Sequence, residues 1–206
     1  VAMASLGQTA NGFDKELVFA AVPVASTAGA IAISGPVSAT AFTAATQSTF
    51  AGGAITVMPS TTGSGQLLIN AGGALSAGNL FAANAINLRS AVSIQAGSVL
   101  SQNGTATFAA PTISTGAVQS ASGISVSGQT VTTGNLGASA GSIDATGTQT
   151  ITTGSVLSQN GTATFVSPTI NLGAVQAAGG VSISGQTVTT GSLATNGGSV
   201  RAIGTQ

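Results

Sequence analysis

Residues Ser93–Gln149 and Thr150–Gln206 align without a gap, and 38 of the 57 aligned positions are identical. Self-similarity at a fixed period limits the architecture before any other property does, because each copy must fold alike and pack on the next. Several mismatches exchange one aliphatic for another: Ile124 for Val181, Val126 for Ile183 and Ile143 for Val200. Such swaps nearly conserve core volume. The octet SGQTVTTG shows the echo most plainly, running from Ser127 to Gly134 and again from Ser184 to Gly191.

Each 57-residue repeat contains three shorter units. A first column of glycines falls at Gly97, Gly116, Gly134, Gly154, Gly173 and Gly191. A second falls at Gly104, Gly123, Gly141, Gly161, Gly180 and Gly198, always seven residues after the first. The units are therefore 19, 18 and 20 residues long, and the variation is expected in the arc from a second glycine to the next first one. Both columns read as structural corners, where glycine supplies positive φ or lets backbones approach closely.

Aliphatic residues keep step with the glycines. Three positions before each first glycine stand Ile94, Ile113, Val131, Ile151, Ile170 and Val188; two positions after it stand Val99, Val118, Leu136, Val156, Val175 and Leu193. These twelve form the expected core column. Four positions after it the side chain is always small: Ser101, Ser120, Ala138, Ser158, Ala177 or Thr195. Beyond the second glycine come alternating pairs such as Ile124/Val126, Ile143/Ala145 and Val181/Ile183. Period-two alternation marks strands with one buried face. The pattern predicts an all-β chain, a β-solenoid of about 19 residues per coil, each coil built from about three short strands. One coil cannot bury its apolar side, so each must stack on its neighbour about 4.8 Å away. Helical repeats would need 3.6-residue periodicity and far less Gly, Thr and Val.

Upstream the register loosens. Gly78, Leu80, Ile86 and Leu88 still fit, and Gly65, Leu67 and Gly72 fit a shortened coil. Before residue 50 only local alternation remains, as in AIAIS from Ala30 to Ser34. The expected division is an irregular N-terminal segment, residues 1–50, acting as a cap or inter-subunit element, followed by a solenoid over 51–206 that is clearest from 78 to 206.

Composition narrows the function. Only Asp14, Lys15, Glu16, Arg89, Asp144 and Arg201 carry formal charge, and the net charge is zero. That leaves no basic patch for nucleic acid and little repulsion between copies. Cys, His, Tyr and Trp are absent, so neither a disulfide framework nor a thiolate metal site is expected, and the core falls to Val, Ile, Leu and Ala. The longest apolar stretch, Leu17 to Ile33, contains Pro23, Ser26 and Thr27 and is short for a membrane span. No basic segment precedes an apolar run in the manner of a signal peptide. The chain opens on Val1, as a processed chain or a fragment would, and Gln206 shares the column of Gln129, Gln149 and Gln186. Ending at a coil boundary implies either that the chain continues or that another molecule covers its edge.

Coils of this length, with runs such as GSVLSQNGTATF and GNLGASAGSIDATGTQTITTGSVLSQ, resemble the filamentous haemagglutinin group of bacterial surface proteins over roughly residues 65–206. That resemblance implies a right-handed parallel β-helix, a secreted or cell-surface location, and a role as an adhesin or fibre shaft; the Asn-Pro-Asn-Gly run of that group's secretion domain is absent from the sequence. It transfers no functional residues, because shaft repeats in that group have none.

Catalysis is not expected. Glycoside hydrolysis needs two carboxyl groups at a defined separation. The available ones are Asp14 and Glu16, flanking Lys15 in a charged turn, and Asp144, whose repeat counterpart is Arg201. Without His or Cys the usual general base and thiol nucleophile are missing. No cofactor or metal is expected, and acidic GGxGxD loops are absent. Asn103-Gly104-Thr105 and Asn160-Gly161-Thr162 match a glycosylation acceptor, but also read as tight Asn-Gly corners.

The threonines offer a sharper expectation. If Val131 points inward, Thr130 and Thr132 point outward, as do Thr150/Thr152 and Thr187/Thr189, with Thr112/Ser114 and Thr169/Asn171 alongside. Hydroxyls would then stand about 7 Å apart along a strand and about 5 Å apart between coils. Such Thr-x-Thr arrays resemble the ice-binding faces of β-solenoid antifreeze proteins; Thr also suits exposed strands simply because it is β-branched. The leading expectation is an extracellular structural protein, either the shaft of a surface adhesin or a subunit of a self-assembling filament. Its expected partners are further copies stacked end to end or the continuation of a longer chain, with a host or surface glycan receptor left open. Ice binding is the alternative.

Overall fold

The chain folds as a β-solenoid in the computed structural model. Residues 67–205 are described, apart from 72, 83 and the side chain of 70; upstream, only the backbone of seven strands between Leu17 and Val57 is described. No helix occurs among the described residues. From Leu75 to Gly204 the chain makes seven complete coils, each with one strand segment on each of three walls, and every pairing between coils is parallel.

Three walls result. A threonine wall stacks Leu75–Ala77, Ser93–Ala96, Thr112–Thr115 and their successors up to Thr187–Thr190. A short wall stacks three-residue strands from Leu80–Ala82 to Leu193–Thr195. A third wall runs from Leu67–Ala71 to Val200–Gly204. In two coils the third wall continues into the threonine wall without a break, giving the eleven-residue strands Gly123–Thr133 and Ile143–Thr153. Elsewhere Pro111 and Pro168 stand at that corner, where a residue without an N–H ends one strand before the next begins.

The aliphatic columns lie in register. Ile94 pairs with Ile113, Ile113 with Val131, Val131 with Ile151, Ile151 with Ile170 and Ile170 with Val188. On the short wall Val99, Val118, Leu136, Val156, Val175 and Leu193 pair in the same succession. All are buried except Val188 and Leu193, which pack against the core from the last coil and are partly buried. Each fully buried Val, Leu or Ile contributes about 1.5–3 kcal/mol, so the stacked interior supplies the driving force that no single coil has.

Aliphatic residues do not fill that interior alone. Phe108 and Phe165 are completely enclosed in the third wall's inward column, beside Val126 and Ala145 respectively. Phe165 stacks on the small Ala145, which gives its ring room, whereas Phe108 lies between Leu88 and Val126.

The corners differ from expectation in one respect. Gly123 pairs with Thr105 and Gly180 with Thr162, so these two glycines open third-wall strands, one place beyond Gly104 and Gly161. Ile124 stands six positions after Val118, the inward residues flanking that corner, whereas Ala106 stands seven after Val99. Length variation thus occurs at this corner as well as in the longer arc. The tighter version needs positive φ, 151° at Gly123 and 130° at Gly180, which side chains other than glycine rarely adopt. At Gly161 and Gly173 the reason for glycine is contact: a Cβ would lie 2.5 Å and 2.9 Å from the backbones of Gly141 and Gly154 in the preceding coil.

Parallel pairing continues upstream. Leu75 pairs with Ser48 and Leu80 with Ile55, and behind those strands lie Ile31–Ser34 and Val37–Ser38. The spacing there is 27 and 25 residues, against 17 and 18 one coil earlier, so this coil is lengthened where a shortened one was expected, and Leu67 stands on the third wall opposite Ile86. The expected cap or inter-subunit role of residues 1–50 falls for the most part outside the described residues.

Candidate functional site

Function in a solenoid resides on the outward side chains, which its strands hold in rows. On the threonine wall, one outward column reads Ser93, Thr112, Thr130, Thr150, Thr169 and Thr187; the other reads Gln95, Ser114, Thr132, Thr152, Asn171 and Thr189. Thr112, Thr132, Thr169, Thr187 and Thr189 are exposed, whereas Thr130, Thr150 and Thr152 are partly covered. Part of that cover comes from the 20-residue coil, where Gln149 approaches Thr130: Oε1 and Oγ1 lie 3.5 Å apart. Along the wall, parallel pairing gives spacings near 4.8 Å, with about 7 Å between the two columns.

Not every threonine of the motif faces solvent. Thr115, Thr133 and Thr153 are buried, and their Oγ1 atoms donate to the carbonyls of Gly116, Gly134 and Gly154 at 3.2, 3.1 and 3.0 Å. Period two from Val131 signals this placement, since Thr133 must share the inward side with Val131.

A second hydroxyl system braces the other corner. Ser101 Oγ donates to Asn84 O at 2.6 Å, Ser120 Oγ to Gly104 O at 2.6 Å and Ser158 Oγ to Gly141 O at 2.9 Å, each across one coil step. All three serines are buried. Their column is small because it fills a corner, and where it carries serine the hydroxyl gives a corner carbonyl a donor. Asn79 and Asn135 act similarly at the first glycine corner, where each Oδ1 accepts from the next coil's backbone, Ser98 N and Ser155 N, at 2.9 Å.

The short wall presents Phe81, Leu100, Gln119, Gly137, Leu157, Gln176 and Ala194 outward, one per coil and in register. Leu100 and Leu157 are 38% and 40% exposed. A shallow trough crosses Gly137 between Gln119 and Leu157.

The remaining candidates are dispersed. Asp144 and Arg201 share one outward column of the third wall, three coil steps apart, through Thr164 and Ser182. Both are exposed, as is Arg89. Asp14, Lys15 and Glu16 lie outside the described residues. Asn160 is exposed, and its Nδ2 donates to Ser139 O at 2.7 Å, tying the corner to the preceding coil. Asn103 is exposed, and its carbonyl accepts from Ser122 Oγ at 3.2 Å. Among the described residues no group of three or more His, Cys, Asp or Glu is placed to hold a metal ion, and no helix is long and apolar enough to cross a membrane. No protein-family model, curated protein or solved structure matches the chain.

Proposed function

We propose that the chain is an extracellular structural element, a β-solenoid shaft belonging to a surface adhesin or to a filament subunit, secreted or displayed at the cell surface. The observation that carries this reading is the unbroken parallel register of both aliphatic columns through successive coils. A scaffold of this kind extends by adding coils, each new one burying the apolar face of the last. Outward rows of Thr, Ser, Gln and Asn keep such a shaft soluble without the charged groups that a catalytic or nucleic-acid-binding surface uses. The reading is non-catalytic and requires no cofactor. Negative-stain microscopy of the purified chain tests it and separates its two versions. A filament subunit assembles end to end into fibres of constant width, whereas an adhesin segment gives discrete short rods. Compact globular particles without a long axis would end both. Antibody labelling of intact producing cells tests the location.

One observation favours ice binding as a second reading: five successive coils carry Thr in the same outward column, Thr112 to Thr187, at strand spacing. Thermal hysteresis together with ice-crystal shaping would support it. Unshaped growth at high protein concentration would remove it.

A further inference from the structure

On the short wall the 57-residue repeat is expressed as an order of outward side-chain sizes. Over six coils it reads Leu100, Gln119, Gly137, Leu157, Gln176, Ala194, a succession of large apolar, amide and small with a three-coil period. Read in reverse, this order sets each large residue against a small one and each amide against an amide. The geometry points to lateral, antiparallel pairing of two copies of this chain through the short wall. The two-fold axis would run along the strand direction, between the coils of Gly137 and Leu157.

In that arrangement Leu157 of each copy enters the trough over Gly137 of the other. Gln119 faces Gln176, where two primary amides can exchange donor and acceptor, and Leu100 lies on Ala194. The contact is isologous, as a two-fold interface must be. Uniform coil spacing keeps all six positions in step, because both ladders repeat near 4.8 Å. A parallel pairing in full register would set Leu on Leu and leave Gly137 facing its own equivalent across an empty trough.

Three observations support a second copy as the occupant. Leu100 and Leu157 are exposed, and they are the only leucines among the five exposed large apolar side chains of the described residues; both lie in this column. The trough at Gly137 is open: a Cβ there would touch only Gln119 Cγ, at 3.8 Å. Among the described residues of these six coils no charged residue lies on the wall or lines its troughs, so the paired segments approach without repulsion. Positions beside the amide pair are small as well, Ala117 and Ala174. With its corners, the six-coil wall offers about 500 Å² per partner, below the ~800 Å² of a standard interface. Association is therefore weak for one such wall and grows with the number of coils engaged. It differs from end-to-end stacking, which leaves this wall free.

The absence of Cys makes the test direct. Gln119→Cys and Gln176→Cys variants, each exposed at the substituted position, are treated at high concentration with a short bis-maleimide, separately and mixed. Antiparallel pairing yields several-fold more cross-linked dimer in the mixture than in either variant alone. Equal or greater yield from Gln119→Cys alone would show parallel pairing and overturn the proposal, as would no excess in the mixture. Sedimentation equilibrium gives the second readout: Gly137→Gln, with the fold checked by circular dichroism, fills the trough and weakens lateral association about tenfold. Unchanged association in a folded Gly137→Gln variant would likewise overturn it.

Discussion

Ser158 Oγ donates to Gly141 O in the preceding coil at 2.9 Å and accepts from Gly161 N at 3.1 Å. One buried hydroxyl thus closes a corner and fastens it to the coil below. Replacing it by alanine leaves both backbone groups short of a partner, and Ser158→Ala is expected to lower stability by about 1 kcal/mol. Ala138 and Ala177 stand in the same column, so the fold itself survives the change. Denaturant or thermal melts against the parent chain measure the loss.

Ser167 presents the opposite case. It is 3% exposed and its Oγ has no hydrogen-bond partner. The first long repeat carries Ala110 at the equivalent place, also buried. An unpaired buried hydroxyl costs about 1–3 kcal/mol, so Ser167→Ala is expected to raise the melting midpoint. A fall would mean that the hydroxyl has a partner in solution, such as an ordered water.

Two glycines should respond in contrasting ways. At Gly161 an added Cβ would sit 2.5 Å from the Gly141 backbone and 2.6 Å from Ser142 N, neither of which moves without opening the coil stack. Gly161→Ala is expected to reduce soluble yield sharply and to cost several kcal/mol, as overpacking against a fixed backbone does (about 1–3 kcal/mol or more). At Gly137 the same methyl meets only a flexible side chain, so Gly137→Ala should be neutral or slightly stabilising, because glycine inside a strand is entropically unfavourable. Parallel melts of the two variants decide the matter.

Phe165 fills the third wall's interior between Ala145 and Ile183. Parallel ladders on both sides hold the coil spacing, so the neighbours cannot close a gap. Phe165→Ala is expected to cost about 3–5 kcal/mol. Local hydrogen exchange should show the loss first in the strands Ile143–Thr153 and Gly180–Gly185, which flank the ring.

The core columns were legible in the sequence because two regularities coincide at them: a fixed offset from glycine and a period of two. Val131 and Ile151 lie opposite one another in space for the same reason that they align in sequence. The second glycine column was legible only in part. Gly104 and Gly123 look equivalent, yet one avoids a backbone contact while the other adopts φ of 151° one position later. Glycine answers both demands, so its identity does not say which is in force, and aligning by it shifts two coils by one residue. The buried serines were recognisable as small but not as donors, because the carbonyls they reach belong to the next coil down. On the threonine wall the outward rows followed from Val131, whereas the cover over Thr130 depends on where Gln149 falls in the longest coil.

The ladders joining successive coils point along the shaft. A tension applied along that axis therefore loads the coil interfaces one after another instead of shearing many bonds at once. Each release sets free one coil of about 19 residues, on the order of 60 Å of slack at the reach of an extended chain. A stack of this kind yields in even, modest steps, because its coils are nearly equal in length.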